Sequence, residues 1–327
     1  MVVCVVARLP HRILDTTDVR SWGLAVVVAV AVVAGARAMA RAPFTLRHKR
    51  LRQWAVGEVK TSLASLVAGV LATLPLYALL RSTPNWWLAA WLIFAGVTVL
   101  WQVATPAVLR ARAGAATTGS PALIAQVHAV AEKAGVDVGE VIVAGKAGAR
   151  CGNAYVVGLG RTRRLVIEQA LSAWPPELVD QVVAHELGHW RLGHTARRLP
   201  LTLLAELAAL GAAAAVLTFA PLLDWAGVSS AGDPRSYPLL LVVGAVVAFP
   251  VRCLLAWRDR AQERAADRFA LDLLDQPDRF DAMLQRAADD SGVPRTLPWW
   301  RYPTAGHPPI DQRAAACHPN ASHPKGS

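Results

Sequence analysis

The sequence predicts a mainly α-helical, polytopic membrane protein with a small β-sheet region. Apolar residues make up 54% of its 327 residues and charged residues 17%, whereas soluble globular chains contain roughly 45–50% and 25%. Five apolar stretches recur along the chain, and many of the basic residues lie just beyond their ends. This distribution is typical of helical membrane proteins.

The five apolar stretches differ in how well they match a bilayer span, which needs about 20 residues. They cover residues 22–36, 61–80, 86–109, 199–223 and 238–257. The first is short and ends in Ala36, Arg37 and Ala38, so it fits either a cleaved signal peptide or an uncleaved span. Because cleavage would leave the most basic loop on the outer side, we favour the uncleaved span.

The distribution of arginine and lysine predicts the orientation. Both are abundant in segments 37–60, 110–198 and 258–327 and scarce in the other connections, which places these three segments in the cytoplasm by the positive-inside rule. We expect a multi-pass protein of the inner (plasma) membrane. Its parts are amino-terminal membrane helices (1–113), a cytosolic part (114–198), two further membrane helices (199–257) and a carboxy-terminal segment (258–327).

The cytosolic part has its own periodicities. Residues 121–135 are predicted to be helical, because one face would carry Leu123, Ile124, Val127, Val130 and Ala131. Short β-branched runs at 140–144, 154–157 and 164–167 are separated by glycine-rich turns, which predicts a small β meander. A further helix opens at residues 175–176, where two prolines suit a first helical turn.

That helix contains the pattern HExxH, from His185 to His189. Residues four apart point the same way on an α-helix, and neutral imidazole is a ligand that zinc prefers. Glu186 follows the first histidine and can reach a water on the metal. We therefore predict a zinc site with His185 and His189 as ligands and Glu186 as the general base.

A hydrolytic zinc site needs a third protein ligand and an open fourth position. The best candidate is Glu263, and Asp267 follows it on the same face of a predicted helix. Asp267 can accept a hydrogen bond from the second nitrogen of a ligand histidine. The alternative is an ordinary charged helix face, because Arg260, Arg264 and Arg268 could pair with these acids. The HExxH pattern favours the ligand interpretation.

The chain resembles the type I CAAX prenyl endopeptidases, membrane zinc proteases of the glutamate-zincin class, over about residues 45–315. The matching blocks are PNWWLAAW (84–91), AEKAG (131–135), NAYVVGLGRTRRLV (153–166), VAHELGHWRLGH (183–194), ERAAD (263–267) and HPPIDQR (307–313). The resemblance implies a cytosolic zinc-peptidase helical core with one Zn²⁺ per chain. The implied ligands are His185, His189 and Glu263, with Glu186 as the base and Asp267 beside a ligand histidine.

The resemblance also implies substrate contacts. Residues 153–155 (Asn153, Ala154 and Tyr155) resemble the edge strand on which such enzymes bind an extended substrate by β-augmentation; the alternative is a plain surface hairpin. His307 would donate to the oxyanion, and Arg313 would hold the substrate backbone or carboxylate. The alternative interpretation of His307 and Arg313 is that they belong to a proline-rich loop beside a surface helix. Asp259 stands where the family usually has a serine, and the amino-terminal region is shorter than the family's.

Other functions compete with this interpretation. An HtpX-type quality-control protease would share the zinc, the motif and the spans, whereas a membrane scaffold or transporter would retain only a vestigial metal site. The net charge of +11 suggests nucleic-acid binding as a further alternative. Because the basic residues lie at the ends of the spans, we expect no nucleic-acid partner. The expected partners are a peptide or protein substrate and the lipid bilayer. The natural substrate and the oligomeric state are not predicted.

Two remaining features are interpreted without a functional role. The four cysteines are far apart in sequence and form no C-x-x-C pattern, so they fit unpaired thiols of a reducing compartment. His194 lacks the spacing of a metzincin third ligand. We interpret it as a helix-end residue or a neighbour of the ligands.

Overall fold

The computed structural model describes residues 76, 78–80, 82–113, 120–145, 152–230, 233, 236–292 and 294–317. The first predicted span, 22–36, and nearly all of the second, 61–80, lie outside these residues. Within them the chain is mainly helical with one three-stranded sheet, as the sequence predicts.

The helices are α1 (Trp86–Ala113), α2 (Pro121–Lys133), α3 (Pro176–Arg191), α4 (His194–Leu217), α5 (Ala220–Ala226), α6 (Tyr237–Leu274), α7 (Pro277–Ser291) and α8 (Ile310–Cys317). The strands are β1 (Ile142–Ala144), β2 (Ala154–Val157) and β3 (Arg164–Glu168). The described residues form two compact units. One combines residues up to Gly96 with Leu203–Val251, and the other combines Val97–Thr202 with residues from Arg252 onward.

The predicted β meander is wrong, although its three strands are present. The strand order is β1-β3-β2, with β1 parallel and β2 antiparallel to β3. Leu165, Val166 and Ile167 of β3 are each 0% exposed. A continuous apolar run covered on both faces belongs in the middle of a sheet, whereas the half-exposed β2 lies at an edge.

The second unit has a core built from the sheet and several helices. α2 buries Leu123, Val127, Val130 and Ala131, as its periodicity predicts. α3 buries Val179, Val183 and Leu187 against the same core, which also contains Phe280 and Leu284 of α7. This packing leaves another face of α3 for its polar residues, so the core fixes the direction in which the histidines project.

Two described helices are long and apolar enough to cross a membrane, Trp86–Arg112 and His194–Leu217. They correspond to the third and fourth predicted stretches, and only 6% of each apolar window is buried. The fifth stretch lies inside α6, which runs without interruption to Leu274. The helix predicted to carry Glu263 and Asp267 is therefore a continuation of that stretch. The number of crossings stays a prediction.

The first unit contains its own apolar cluster. Trp86 and Ala90 of α1 pack there with Leu217 of α4 and Leu239 of α6. The Nε1 of Trp91 donates to the carbonyl oxygen of Leu203 at 2.9 Å. The site residues considered below all belong to the second unit.

Candidate metal centre and active site

The two histidines of the HExxH pattern project together from α3. Their Nε2 atoms lie 3.2 Å apart, because one helical turn separates them. His185 is buried and His189 is half-buried. Gly193, with a φ of 65°, follows the end of α3, where glycine readily adopts the left-handed conformation. The helix thus ends just after its histidines.

Glu263 of α6 completes a group of three ligand atoms. Its Oε1 lies 3.3 Å from Nε2 of His189 and its Oε2 lies 3.6 Å from Nε2 of His185. Ligands at roughly 2.0–2.1 Å from a tetrahedral zinc would lie about 3.3 Å from one another. Oε2 of Glu263 is also buried without a well-formed hydrogen bond to the described residues. The donor set and its spacing therefore fit a zinc ion.

A close approach of two helices brings these ligands together. Gly188 lies between the histidines, and a Cβ placed there would be 3.1 Å from Cα and 3.2 Å from the carbonyl oxygen of Ala266. Contacts this short with backbone atoms mean that even a methyl group would require the neighbouring helix to move by a few tenths of an ångström. The glycine lets α3 lie almost backbone to backbone against α6, so the Glu263 carboxylate reaches both imidazoles.

Asp267 lies one helical turn after Glu263 and contacts the other side of His185. Its Oδ1 is 2.9 Å from Nδ1 of that imidazole, an arrangement that directs the Nε2 lone pair towards the ligand cluster. Burial acts to raise the pKa of Asp267, but the contacts with His185 and Arg313 outweigh it and hold the pKa below its usual range.

Arg313 of α8 forms a bidentate hydrogen-bonded ion pair with Asp267. Its Nε and Nη2 donate to the two carboxylate oxygens at 2.8 and 2.5 Å, and its side chain is only 10% exposed. The resemblance implied that this arginine would hold the substrate. Its guanidinium instead pairs with Asp267 and has Nη1 3.8 Å from Oε2 of Glu263.

Glu186 and His307 are two further titratable groups near the cluster. Burial raises the pKa of the Glu186 carboxyl above its ordinary value, in the direction of a group that exchanges protons near neutral pH. Nδ1 of His307 is 2.9 Å from Oε2 of Glu263, while 75% of the His307 side chain is exposed. His307 therefore contacts the cluster from the side that solvent and substrate can reach.

The comparisons with known proteins agree with this geometry. Residues 119–321 match the family model described as "Peptidase family M48". The chain belongs to peptidase family M48. It is thus a member of a metalloprotease family with membrane character, and the predicted family is confirmed.

Two curated relatives of this M48 chain are plant proteins named CAAX prenyl protease 1 homolog. The one from Oryza sativa subsp. japonica is 28% identical over 170 residues, which is 50% of this chain and 39% of the relative. The one from Arabidopsis thaliana is 25% identical over the same shares. The match thus spans about two fifths of the length of these curated relatives.

A solved structure shares the fold of this M48 chain. The crystal structure of S. mikatae Ste24p superposes with a TM-score of 0.66 and 15% identity, over 89% of this chain and 76% of that one. At this identity the likeness concerns the fold alone.

A polar cavity of about 460 Å³ adjoins the ligands of this M48 site. His189, Glu263 and His307 lie on its wall, together with Val156 of the edge strand. Asn153 and Ala154 belong to the same strand region, where the carbonyl oxygen of Asn153 accepts from the amide of Glu168 at 2.8 Å. Val156, which follows the predicted substrate segment 153–155, therefore lies on the same cavity as the candidate ligands, whereas Asn153, Ala154 and Tyr155 do not line it.

Two further contacts adjoin this site; the first agrees with the interpretation of His194 as a neighbour of the ligands, and the second, of Arg260, was not predicted. Nδ1 of His194, the first residue of α4, lies 2.8 Å from Nδ1 of His189. Arg260 donates from Nη1 to the carbonyl oxygens of Tyr302 and Ala305 at 2.9 and 2.6 Å. The alternative of an ordinary charged helix face would have paired Arg260 with neighbouring acids, whereas its guanidinium contacts the loop before His307. The turn from Gly193 into His194 was the available signal for His194; no comparable signal marked Arg260.

Proposed function

We propose that this chain is a membrane-embedded zinc endopeptidase of the CAAX prenyl protease type. The observation that carries the proposal is the convergence of two imidazole nitrogens and one carboxylate from sequence-distant helices, at 3.2–3.6 Å from one another. We propose one zinc ion per chain bound by His185, His189 and Glu263. Bound zinc would polarise the scissile carbonyl and lower the pKa of a water molecule.

The chain's own residues would divide the remaining work. Glu186 accepts the proton of the attacking water and delivers it to the leaving amide nitrogen. His307, exposed beside Glu263, donates to the oxygen on which negative charge develops. Asp267 and Arg313 orient His185 through their shared contacts.

We propose that the substrate binds in an extended conformation along β2. This strand has β3 on one side and no strand partner on the other among the described residues. Its free backbone groups can pair with a peptide by β-augmentation. Val156 borders the same cavity as His189 and Glu263, so a peptide on this edge passes the ligands.

The proposed location is the plasma membrane with the site facing the cytoplasm. Two apolar helices support a membrane position, and the basic segments 110–198 and 258–327 support the orientation. Both segments contribute residues to the candidate site, which is consistent with a single side of the bilayer.

The lining of the cavity favours a second candidate, cleavage of unmodified polypeptides as in quality control. Arg198 and Asp259 form an ion pair at 3.1 Å on its wall. Thr98, Gln102 and Gln262 add further polar groups. This environment suits a hydrophilic peptide segment more than an isoprenoid chain, because a hydrocarbon there would leave the polar groups without water.

Peptide cleavage by the purified full-length protein tests both candidates. The substrates are one carboxy-terminal peptide with and without a farnesyl group, and an unfolded protein. We expect Glu186→Gln to retain zinc but to lose about 10²- to 10⁴-fold in turnover, the usual contribution of a general base. The matched control is Glu177→Gln, which removes an exposed carboxylate from the first turn of the same helix.

The outcomes separate the candidates. A preference for the farnesylated peptide supports the prenyl protease type, and equal or better cleavage of unmodified chains supports quality control. Full activity in Glu186→Gln, or zinc-free protein with full activity, contradicts the proposed mechanism for either substrate.

A further inference from the structure

A second, basic cavity lies where the apolar helix α1 ends. Its volume is about 200 Å³, and it is lined by Val103, Pro106, Arg110, Ile142, Arg161 and Arg164 among others. All of these residues belong to one compact unit. The cavity has no residue in common with the one beside the metal ligands.

The cavity carries uncompensated positive charge. Arg110 forms an ion pair with Glu140, which also lines the cavity. Arg161 and Arg164 have no carboxylate within ion-pair distance among the residues that the structure describes. Two guanidinium groups therefore remain without a counter-charge in one concavity, and guanidinium is well suited to binding phosphate.

The loop that carries Arg161 is held against α1. Gly158 has a φ of 87°, and a Cβ placed there would lie 2.9 Å from Cγ of Pro106 and would collide with the backbone of Thr162. The Thr162 hydroxyl donates to the carbonyl oxygen of Leu159 at 2.9 Å. Since these contacts close the loop onto the buried Pro106, the backbone that carries Arg161 is fixed against α1, and Nη1 of Arg164 donates to the carbonyl oxygens of Arg161 and Arg163 at 3.1 and 2.7 Å.

The position along α1 indicates what the cavity binds. The apolar segment Trp86–Arg112 has a mean hydropathy of 1.8 and ends in the turn that carries Arg110. Leu100 and Val103, which precede Arg110 on the same helix, are 66% and 39% exposed. The charged cavity therefore borders an exposed apolar surface, as the headgroup level of a bilayer borders its hydrocarbon.

We propose that this cavity binds the phosphate of an anionic phospholipid headgroup, with the acyl chains along the exposed surface of α1. The proposal rests on the proposed membrane position of α1. The cavity is smaller than the roughly 300–1,000 Å³ of pockets that enclose drug-sized ligands. It thus accommodates a phosphate group while the rest of the lipid stays in the bilayer.

Lipid binding to the full-length protein in detergent, measured by native mass spectrometry, tests the proposal. Phosphatidylglycerol should bind in preference to phosphatidylcholine. Arg161→Gln should lower the phosphatidylglycerol affinity about five-fold, and Arg161→Gln with Arg164→Gln roughly 25-fold, as expected for arginines at a membrane surface. Phosphatidylcholine binding should not change, and Arg161→Lys should retain most of the preference.

Arg279→Gln is the matched control, because Arg279 is an exposed arginine of α7 that does not line the cavity. The proposal is overturned if this control lowers phosphatidylglycerol binding as much as Arg161→Gln does. It is also overturned if the two lipids bind equally. Competition by inorganic phosphate at an affinity equal to that of the lipid would assign the site to a soluble anion instead. Arg161 lies in an exposed short turn, so the single variant should keep its fold and its peptidase activity.

A sodium carbonate wash of membranes separates this proposal from the proposed function. Release of the protein would contradict the membrane position itself. Retention of an active peptidase without a phosphatidylglycerol preference would overturn only the lipid site.

Discussion

At the scale of single residues, Asp267 connects the candidate ligands to the carboxy-terminal helix. One of its carboxylate oxygens contacts Nδ1 of His185, and both oxygens accept hydrogen bonds from Arg313. A buried carboxylate needs such partners to remain ionised. Two donor nitrogens of the arginine, Nε and Nη2, are engaged in this pair, so we propose that Arg313 positions Asp267.

Replacing Asp267→Asn tests this arrangement. The amide keeps the size of the side chain but removes its charge, so the orientation and basicity of His185 are weakened. We expect zinc affinity to fall about 10- to 100-fold, the usual effect of losing the partner of a ligand histidine. Competition with a chelating dye measures the affinity. Asp272→Asn, an exposed acid on the same helix, should bind zinc as the wild type does; equal affinity in Asp267→Asn would contradict the assignment.

At the scale of secondary-structure elements, the site depends on how closely α3 and α6 approach. The HExxH pattern does not specify the residue types at its two x positions. In this chain one of them is Gly188, which faces Ala266 of α6. A helical glycine is unfavourable by about 1 kcal/mol relative to alanine. Local helix stability therefore does not explain the glycine between the two histidines. The close contact with α6 does.

Gly188→Ala should therefore push the two helices apart although it improves helix propensity. The new Cβ would lie 3.1 Å from Cα of Ala266, and a shift of a few tenths of an ångström would separate Glu263 from the imidazoles. We expect weaker zinc binding and lower turnover, measured by metal analysis and peptide cleavage. Gly96→Ala, in open space within α1, is the control and should change neither. Unchanged zinc affinity in Gly188→Ala would show that the helices tolerate a wider separation.

The edge strand β2 gives a second prediction at this scale. The amide of Glu168 donates to Asn153, and hydrogen-bonded pairs alternate along an antiparallel ladder. The backbone of Val156 should therefore point to the free edge. Val156→Pro removes that donor and should raise KM for extended peptides with zinc content unchanged. Val156→Ala trims the side chain but keeps the donor, so any difference between the two variants reports the backbone contact. Equal kinetics would contradict binding along this edge.

At the scale of the whole molecule, metal binding would couple segments that are far apart in sequence. The proposed ligands come from α3 and α6, and neighbouring contacts come from α8 and the loop before it. The Glu263 carboxylate is buried among imidazoles, so a bound cation would compensate its charge. Folding and metal binding should therefore be linked.

Chelation should lower the melting temperature of the purified protein. Zinc bound at a free concentration roughly a thousand times its Kd stabilises the folded state by about 4 kcal/mol, so its removal should lower the Tm by several degrees. Differential scanning calorimetry with and without a chelator measures the shift. A chelator already saturated with zinc is the control and should have no effect. A Tm that does not respond to chelation would argue against a metal at this site.

The sequence by itself determined the family, the helical character and the existence of each strand. The family is confirmed, and the candidate ligands identified from the HExxH pattern and the block at 263–267 lie together. Only the spacing within each helix is local, because a helical repeat places His185 beside His189 and Glu263 beside Asp267 whatever the rest of the chain does; the meeting of the two helices is a tertiary contact.

Only the tertiary structure decided which elements lie beside one another. Packing between distant segments decides the order of the strands and the continuity of α6. It also decides the contact of Arg313 with Asp267 and the role of Arg260. Periodicity reports which face of an element is buried but does not report what covers it. The identity of that partner is a property of the assembled core, which is why the contact of Arg313 with Asp267 could not be predicted from the sequence.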